Sequence, residues 1–298
     1  MEWQQLLGFC QVAKLGSFTK AARATFRTQP ALSQQVKALE EELGSPLLER
    51  LGRRRLRLTP AGEKFLAFAQ GLLAQWDRLQ DELHQLQGRP QGPLSLAAPF
   101  TTLYHLLPET LLTYLRQYPQ VELTLLDRTQ AEVFALVKGG DVDFGLALES
   151  LIPRDLAGRR WLPVDAVLLA PVDHPLTRVR RVTWRQIADY PLIVPPRGHE
   201  SGHRRLLEEQ FRKLGLACRI ILESSNVELS ARYVETGLGL AFATLARGLP
   251  PRRHLAFIPL GHYFKPDHLA LVRRRDQALT PYKQAFLNLL FGDTMVQS

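Results

Sequence analysis

A pair of short helical patterns separated by a polar turn constrains the fold more than any other part of the chain. Ser17 stands where a helix N-cap is expected, ahead of a predicted helix over Phe18–Ala24. After the turn, apolar residues recur at helical spacing over residues 29–43, and Gly44 follows at the position of a C-cap. Because both helices are short and the connection is tight, residues 17–44 predict a helix-turn-helix.

The second of these helices has one apolar and one polar face. Its apolar stripe consists of Leu32, Val36, Leu39 and Leu43. The hydrogen-bonding side chains of the opposite face are Gln29, Ser33, Gln34 and Lys37. In a helix-turn-helix this face lies in the major groove, where amides and hydroxyls can read base edges and a lysine can contact a phosphate. We therefore expect the polar face to bind DNA.

A basic hairpin pattern follows the second helix. Two short extended runs flank Gly52 within Pro46–Leu58, and four arginines lie in Arg53–Arg57. Residues 1–60 carry ten Lys and Arg against five Glu, which is more than half of the net charge of +9. A basic run can be the solvated face of a small helical bundle. Next to a helix-turn-helix, however, it predicts a wing whose arginines contact the DNA backbone or the minor groove.

These residues resemble the winged helix-turn-helix of LysR-type transcriptional regulators. The resemblance is carried by TQPALSQQVKALEEELG (28–44) and LTPAG (58–62), and it extends over essentially the whole chain. It implies a homo-oligomeric, commonly tetrameric, DNA-binding regulator with a small-molecule effector domain, and it makes RNA polymerase a further candidate partner. The residues assigned to DNA binding are Ser17, Thr19, Lys20, Thr28, Gln29, Pro30, Ser33, Gln34, Lys37, Arg50, Arg53, Arg54 and Arg55.

A long helical pattern follows the wing and predicts a dimer. From Pro60 a helix can run to about residue 86, and a break rich in glycine and proline follows it. Apolar residues recur in a heptad pattern, which is typical of the seam of a two-stranded coil. An amphipathic helix folded onto its own domain is the alternative. The predicted seam is Phe65, Ala69, Leu72, Trp76, Leu79 and Leu83.

The remaining residues alternate short strands with helices, which predicts an α/β fold with parallel sheets. The expected elements include a helix near Leu103–Tyr118 and a strand at Ala166–Pro171. The family resemblance implies two lobes crossed twice by the chain, like a periplasmic binding protein. The predicted divisions are a DNA-binding domain at 1–58, a linker helix at 59–87 and an effector domain at 88–298, with lobe I at 94–163 and 266–298 and lobe II at 164–265.

Several strand-to-helix junctions can form the cleft between the lobes. Ligands of open α/β sheets bind beyond the strand C-termini, where hydroxyls and free backbone amides converge. The same side chains cap helices routinely, so capping is the alternative for each position taken alone. As a set they predict a site for a small anion, a carboxylate or oxyanion, and no other cofactor. The predicted effector residues are Phe100, Thr101, Thr102, Thr129, Ser201, Gly202, His203 and Asn226.

Within the family, the effector region resembles the CysB-like branch, which senses sulfur metabolites. The resemblance lies in VDFGLALESL (142–151) and YVETGLGLAF (233–242). The threonine-rich pocket loop of that branch is reduced here to Thr101 and Thr102, and Leu148 replaces a pocket threonine. These departures favour an effector other than sulfate or acetylserine.

One motif points to a different chemistry. The run from His199 to His203 fits H-E-x-x-H, a pattern that places two zinc-binding histidines and a glutamate base on one helix. Because Gly198 precedes this motif and Gly202 lies inside it, we expect a loop that enters a helix. A metal-dependent enzyme or metal sensor that uses His199, Glu200 and His203 is the alternative function. In the main prediction the protein is not an enzyme and has no catalytic or metal-binding residue.

Composition excludes several other classes. With 45% hydrophobic and 22% charged residues the chain is expected to be globular, and no apolar run reaches the roughly 18 residues of a membrane span. Cys10 and Cys218 are the only cysteines, which excludes a disulfide framework and disfavours a redox switch. The N-terminus lacks the pattern of a secretory signal, so a cytoplasmic location is expected. A binding protein whose N-terminal region only dimerises is a further alternative, but dimerisation does not need the Arg53–Arg57 wing.

Overall fold

A computed structural model describes residues 1–51, 55–86, 92–197, 202–249, 252–277 and 279–292. The chain divides into two compact units. The first is Met1–Arg89 with Gln277–Thr280, and the second is Pro90–Asp276 with Pro281–Ser298. Among the described residues, every helix is too short or too polar to cross a membrane.

The first unit consists of four helices and a two-stranded hairpin. In chain order its elements are α1 (Trp3–Leu15), α2 (Phe18–Ala24), α3 (Gln29–Leu43), β1 (Leu48–Leu51), β2 (Arg55–Leu58) and α4 (Pro60–Leu86). The hydroxyl of Ser17 accepts a hydrogen bond from the amide of Lys20 at the start of α2. Gly44 ends α3 with φ 61°, in the left-handed region that favours glycine. The predicted helix-turn-helix and hairpin are confirmed, with the predicted bounds for α2 and α3.

A small apolar core holds the three N-terminal helices together. Phe9 and Val12 of α1 pack against Leu32, Val36 and Leu39 of α3, and all five side chains are at most 1% exposed. The stripe that the sequence predicted to be apolar therefore faces inward, apart from Leu43, which is 42% exposed at the helix end. Burial of this stripe forces the opposite face of α3 outward, because the two faces lie on opposite sides of one helix.

The second unit is an α/β structure. In chain order its elements are β3 (Gly92–Ala98), α5 (Phe100–Leu106), α6 (Pro108–Gln117), β4 (Val121–Asp127), α7 (Gln130–Gly139), β5 (Phe144–Leu148), β6 (Leu156–Pro171), α8 (Trp184–Ala188), β7 (Leu192–Val194), α9 (Gly202–Leu214), β8 (Ile220–Glu223), α10 (Val227–Glu235), β9 (Leu240–Ala246), β10 (Leu255–Pro259), β11 (Asp267–Arg274) and α11 (Pro281–Gly292). The predicted α/β class is confirmed.

The long strand β6 belongs to two lobes. The strand order is β4-β3-β5-β11-β6-β9-β7-β8, and β10 also pairs with β6. From Leu156 to Val164, β6 pairs with β11, and from Val164 to Pro171 it pairs with β9 and β10. The first lobe therefore contains β3, β4, β5, β11 and the start of β6, whereas the second contains the end of β6 with β7 to β10. The chain crosses between the lobes within β6 and again between β10 and β11.

The sequence prediction was wrong about several features of this unit. The sheet is mixed rather than parallel, because β6 and β11 run antiparallel to the strands beside them. The helix expected near Leu103–Tyr118 is broken at Leu107, where Pro108 begins a second helix. The strand expected at Ala166–Pro171 begins ten residues earlier, at Leu156. Its first half carries the exposed run Gly158–Arg160, which hid the strand pattern.

Two glycines of α4 predict opposite effects of the same substitution. A Cβ at Gly62 would lie 2.0 Å from the carbonyl oxygen of Leu47, whereas a Cβ at Gly71 would meet nothing within 4 Å. We expect Gly62→Ala to lower the free energy of unfolding by about 1–3 kcal/mol, because the backbone of Leu47 must shift. Gly71→Ala is expected to raise it by about 0.5–1 kcal/mol through its helix propensity. Calorimetric unfolding of the full chain checks both, and shifts of the same sign would contradict this packing.

Candidate functional site

The outer face of α3 presents the polar side chains that the sequence predicted. Gln29, Pro30, Gln34 and Lys37 are exposed and Ser33 is half-exposed. The ammonium of Lys37 lies 3.4 Å from the carboxylate of Glu41, but both side chains are well exposed, so this pair restrains the lysine weakly. The face is thus uncovered and rich in donors and acceptors, as a surface that reads base edges must be.

The other predicted DNA-binding residues lie at helix starts and in the hairpin. The hydroxyls of Ser17 and Thr28 cap α2 and α3, each accepting a backbone N–H at 3.4 Å. Thr19 and Lys20 are exposed in the first turn of α2. Arg50 and Arg55 lie on β1 and β2, whereas Arg53 and Arg54 lie outside the described residues.

The turn between α2 and α3 contains two residues that the sequence did not single out. Phe26 is 98% exposed and has φ 52°, a value that residues other than glycine, asparagine and aspartate rarely adopt. The guanidinium of Arg27 donates a hydrogen bond of 2.8 Å to Oε1 of Gln35 on α3. It also donates to the side chain of Gln4 on α1. Arg27 therefore connects the turn to both neighbouring helices instead of projecting freely.

The predicted seam of α4 divides into two parts. Trp76, Leu79 and Leu83 are between 46% and 49% exposed, so a large apolar surface is uncovered in the single chain. Ala69, by contrast, is fully buried in the single chain, which corrects its assignment to a partner surface. Phe65 contacts Phe9 edge-on, with ring centroids 5.2 Å apart. At Phe65 the helix therefore follows the alternative, in which it folds onto its own domain.

A cavity of about 680 Å³ lies between the two lobes of the second unit. Its walls come from the strand-to-helix junctions of both lobes and from the two crossing segments. Apolar side chains form most of the interior, among them Phe100, Leu106, Leu148, Ile193, Leu206, Phe242 and Phe264. Hydroxyl groups are distributed around it on Thr101, Thr102, Thr129, Ser150, Ser224, Ser225, Ser230 and Thr244.

Five of the predicted effector residues line this cavity, namely Phe100, Thr101, Thr102, Thr129 and Asn226. Thr129 is also half of a capping box with Glu132, and Asn226 accepts the amides of Glu228 and Leu229 at 2.8 and 3.1 Å. The capping alternative therefore holds at these two positions. Of the remaining predicted residues, Gly202 begins α9, whereas Ser201 and the side chain of His203 lie outside the described part of the structure.

Charged groups of both signs reach the cavity. Hydrogen bonds from Thr129 hold the pKa of the Glu132 carboxyl below its usual value, so this group is ionised. Asp267 accepts hydrogen bonds from the hydroxyl and the amide of Ser150. Among the described residues that line the cavity, the cations are Arg128 and Lys265, both of them exposed. Lys265 lies in the second crossing segment, and no sequence motif identified it as an effector-binding residue.

The described residues form neither a metal-binding cluster nor a reactive thiolate. These contain no group of three or more His, Cys, Asp and Glu side chains able to hold a metal ion. His199 and Glu200 lie outside them. Burial raises the pKa of the Cys10 thiol to about 11 and also raises the pKa of Cys218, which disfavours the reactive thiolate form of both.

The exposed polar helix of the first unit and the two-lobed cavity of the second define a DNA-binding regulator with an effector domain. Residues 3–63 match the family model "Bacterial regulatory helix-turn-helix protein, lysR family", and residues 87–293 match "LysR substrate binding domain". The chain therefore belongs to the LysR family: it is a LysR-type DNA-binding transcriptional regulator and not an enzyme.

Several transcriptional regulators are similar to this chain over nearly its whole length. The transcriptional regulator cbl of Escherichia coli strain K12 is 29% identical over 292 residues, which is 97% of this chain and 92% of that protein. The transcriptional activator CmpR of a Synechocystis strain is 30% identical over 288 residues, 95% of this chain and 93% of that protein. The fold is similar to a full-length OxyR from Pseudomonas aeruginosa, with a TM-score of 0.65, 23% identity and coverage of 100% and 99%.

Substitutions at Arg27 distinguish an internal contact from a phosphate contact. Because Arg27 bonds Gln35 and Gln4, we expect Arg27→Lys and Arg27→Met to weaken DNA binding equally, by about tenfold for a loss of about 1.4 kcal/mol. Neither variant should change the dependence of affinity on salt. The measurement is fluorescence anisotropy on a duplex that the wild-type chain selects from a random library, at several salt concentrations.

Arg23→Met is the matched control, since Arg23 is exposed on α2 in the same motif. A phosphate contact at Arg27 would give a different pattern. The lysine variant would then bind like the wild type, and the methionine variant would reduce the salt slope by about 0.9.

Proposed function

We propose that α3 enters the major groove of an operator and reads it through Gln29, Ser33 and Gln34. The uncovered polar face of α3 supports this proposal, because its other face is fixed in the core. In the same proposal Ser17, Thr19, Lys20, Thr28, Pro30 and Lys37 position the helix on the phosphates. The wing arginines Arg50, Arg53, Arg54 and Arg55 extend the contact to the backbone or the minor groove.

We also propose a division of roles along the chain. Residues 1–58 bind DNA, residues 59–87 pair two chains and residues 88–298 bind the effector, with lobe II at 164–265. The exposed apolar surface of α4 supports pairing through Trp76, Leu79 and Leu83, and Phe68, which is 55% exposed, extends this surface. Two dimers then form a tetramer in the cytoplasm that contacts RNA polymerase.

The effector that fits the cavity best is an organic molecule with an apolar body and an anionic end. The cavity itself is the main support for this proposal. Its volume of about 680 Å³ is typical of sites for molecules of drug size, and its interior is mostly apolar. A bare inorganic oxyanion would leave most of this volume unfilled. The hydroxyls of Thr101 and Thr102 and the cations Arg128 and Lys265 supply partners for the anionic end.

Effector binding changes transcription by favouring one spacing of the lobes. A ligand shifts an equilibrium between two spacings only if it binds one of them more tightly. A different lobe spacing alters the geometry of the tetramer and so the bend of the bound DNA. Because bending DNA costs several kcal/mol, a modest change in that geometry is enough to alter occupancy.

A thermal-shift screen of the full chain tests the effector site. The compounds are aliphatic and aromatic carboxylates, acetylated amino acids and inorganic sulfate. We expect an organic carboxylate to raise the melting temperature, since a ligand at a hundred times its Kd stabilises the folded state by about 2.7 kcal/mol.

Ser225→Trp then tests the location, because Ser225 is exposed and lines the cavity, so a large side chain there obstructs it without disturbing a core. The matched control is Thr124→Trp, at an exposed position of β4 that does not line the cavity. The shift should disappear in the first variant and persist in the second. An equal shift in both variants, or a shift with sulfate alone, would contradict the proposal.

A further inference from the structure

Three charged or titratable side chains meet across the two lobes. His105 lies in the last turn of α5 in the first lobe, and Glu228 lies in the first turn of α10 in the second. Nε2 of His105 is 2.9 Å from Oε1 of Glu228, although the two residues are 123 positions apart in sequence. Arg252, which precedes β10 in the second lobe, pairs with the other carboxylate oxygen of Glu228. We call His105, Glu228 and Arg252 the inter-lobe latch.

The protonation of the latch follows from its burial and its partners. His105 and Glu228 are each 19% exposed. Burial acts to raise the pKa of Glu228, but hydrogen bonds from Arg252 and His105 outweigh it and lower the pKa. An ionised carboxylate only accepts, so Nε2 of His105 must carry the hydrogen that it shares with Glu228. This Nε2 also lies 3.3 Å from the Arg252 guanidinium, but both groups are donors and do not hydrogen-bond to each other. Both donate to Glu228, so this carboxylate accepts from a residue of each lobe.

The latch adjoins the effector cavity. Leu106 follows His105 and Val227 precedes Glu228, and both line the cavity. Leu106 also packs with Leu249 on a small core formed by Val164, Ala246 and Leu269, beside the point where β6 passes from one lobe to the other. The latch thus lies beside the cavity and near the strand that passes between the lobes.

We propose that the hydrogen bond from His105 to Glu228 holds the two lobes at the spacing seen in this structure and thereby sets the width of the effector cleft. This inference rests on the proposed function for its regulatory meaning. The lobes are joined by two crossing segments, an arrangement that permits hinge motion. Rotation about those segments moves α5 relative to α10, and a rotation that separates Nε2 of His105 from Oε1 of Glu228 beyond hydrogen-bond distance breaks the bond. An effector that needs a wider cleft must break the latch, whereas one that fits the present width leaves it intact.

Distances between spin labels on the two lobes test the latch without any effector. The labels are placed at exposed positions of the full chain, Gln117→Cys on α6 and Arg212→Cys on α9, with Cys10→Ser and Cys218→Ser removing the native thiols. Labelled chains are mixed with excess unlabelled chains, so that only distances within one chain are recorded by pulsed electron paramagnetic resonance. We expect one narrow distance distribution for the parent chain, which is the doubly labelled chain with His105 and Glu228 unchanged.

His105→Leu removes the donor but leaves the Glu228–Arg252 pair in place, so no buried charge is left unpaired. It should add a population at a second distance. His105→Gln retains an N–H donor and should restore the single distribution. If His105→Leu gives the distribution of the parent chain, the latch does not set the lobe spacing and the proposal fails. Circular dichroism confirms that each variant is folded before its distances are compared.

The matched control is Glu235→Gln. Glu235 lies on the same helix as Glu228, is 17% exposed and pairs with Arg232, but that partner is in its own lobe. It should keep the parent distribution, and a second population in this control would show that loss of any α10 ion pair moves the lobes, which would overturn the proposal. Because no effector is present, failure of the latch leaves the outcome of the effector screen unaffected, and the two results remain distinguishable.

Discussion

The hydrogen bonds of β6 are the constraint on which the effector domain depends. This strand of 16 residues pairs with β11 on one half and with β9 and β10 on the other, so it belongs to both lobes at once. A shared strand fixes where the lobes meet while leaving the junctions beyond the strand ends free to face each other. The cavity forms at that point, and its lining therefore comes from segments that are distant in sequence.

The first unit depends on a different interaction, the burial of one stripe of α3. Leu32, Val36 and Leu39 anchor the helix to α1, and this anchoring leaves the polar face uncovered. Arg27 adds hydrogen bonds from the turn to both helices, which limits rotation of α3 about its own axis. A helix held in this way presents its polar side chains in one fixed orientation, which the proposed base-specific recognition requires.

Features set by local sequence were predictable, and features set by distant partners were not. The cap at Ser17 and the stop at Gly44 made α2 and α3 predictable, since both residues act within one turn of a helix end. The first half of β6 escaped prediction because its exposed run Gly158–Arg160 lacks a strand pattern and only its pairing with the distant β11 makes it a strand. Ala69 looked like part of a dimer seam because heptad spacing does not distinguish a partner helix from the buried interior of the same chain.

The cleft shows the same division. Thr101, Thr102 and Asn226 were predictable because they lie at strand-to-helix junctions. Lys265 and Ser150 line the cavity only because the fold brings the crossing segments to it, and no local pattern indicates that. His105 and Glu228 carried no signal, because neither belongs to a motif and their contact spans the two lobes. The family match gives the class of protein, and the tertiary contacts show which of its residues lie together in the cleft.

Selection of bound duplexes from a random DNA library tests most directly whether α3 reads bases. The comparison is between the full wild-type chain, Gln29→Ala on α3 and Arg57→Ala on the wing, where the Arg57 side chain is 65% exposed. Gln29→Ala is predicted to lose preference at one or two positions of the selected motif. Arg57→Ala is predicted to keep the motif while binding all sequences more weakly, with a salt slope reduced by about 0.9. Selection of an unchanged motif by Gln29→Ala would contradict the assignment of Gln29 as a base-reading residue of α3.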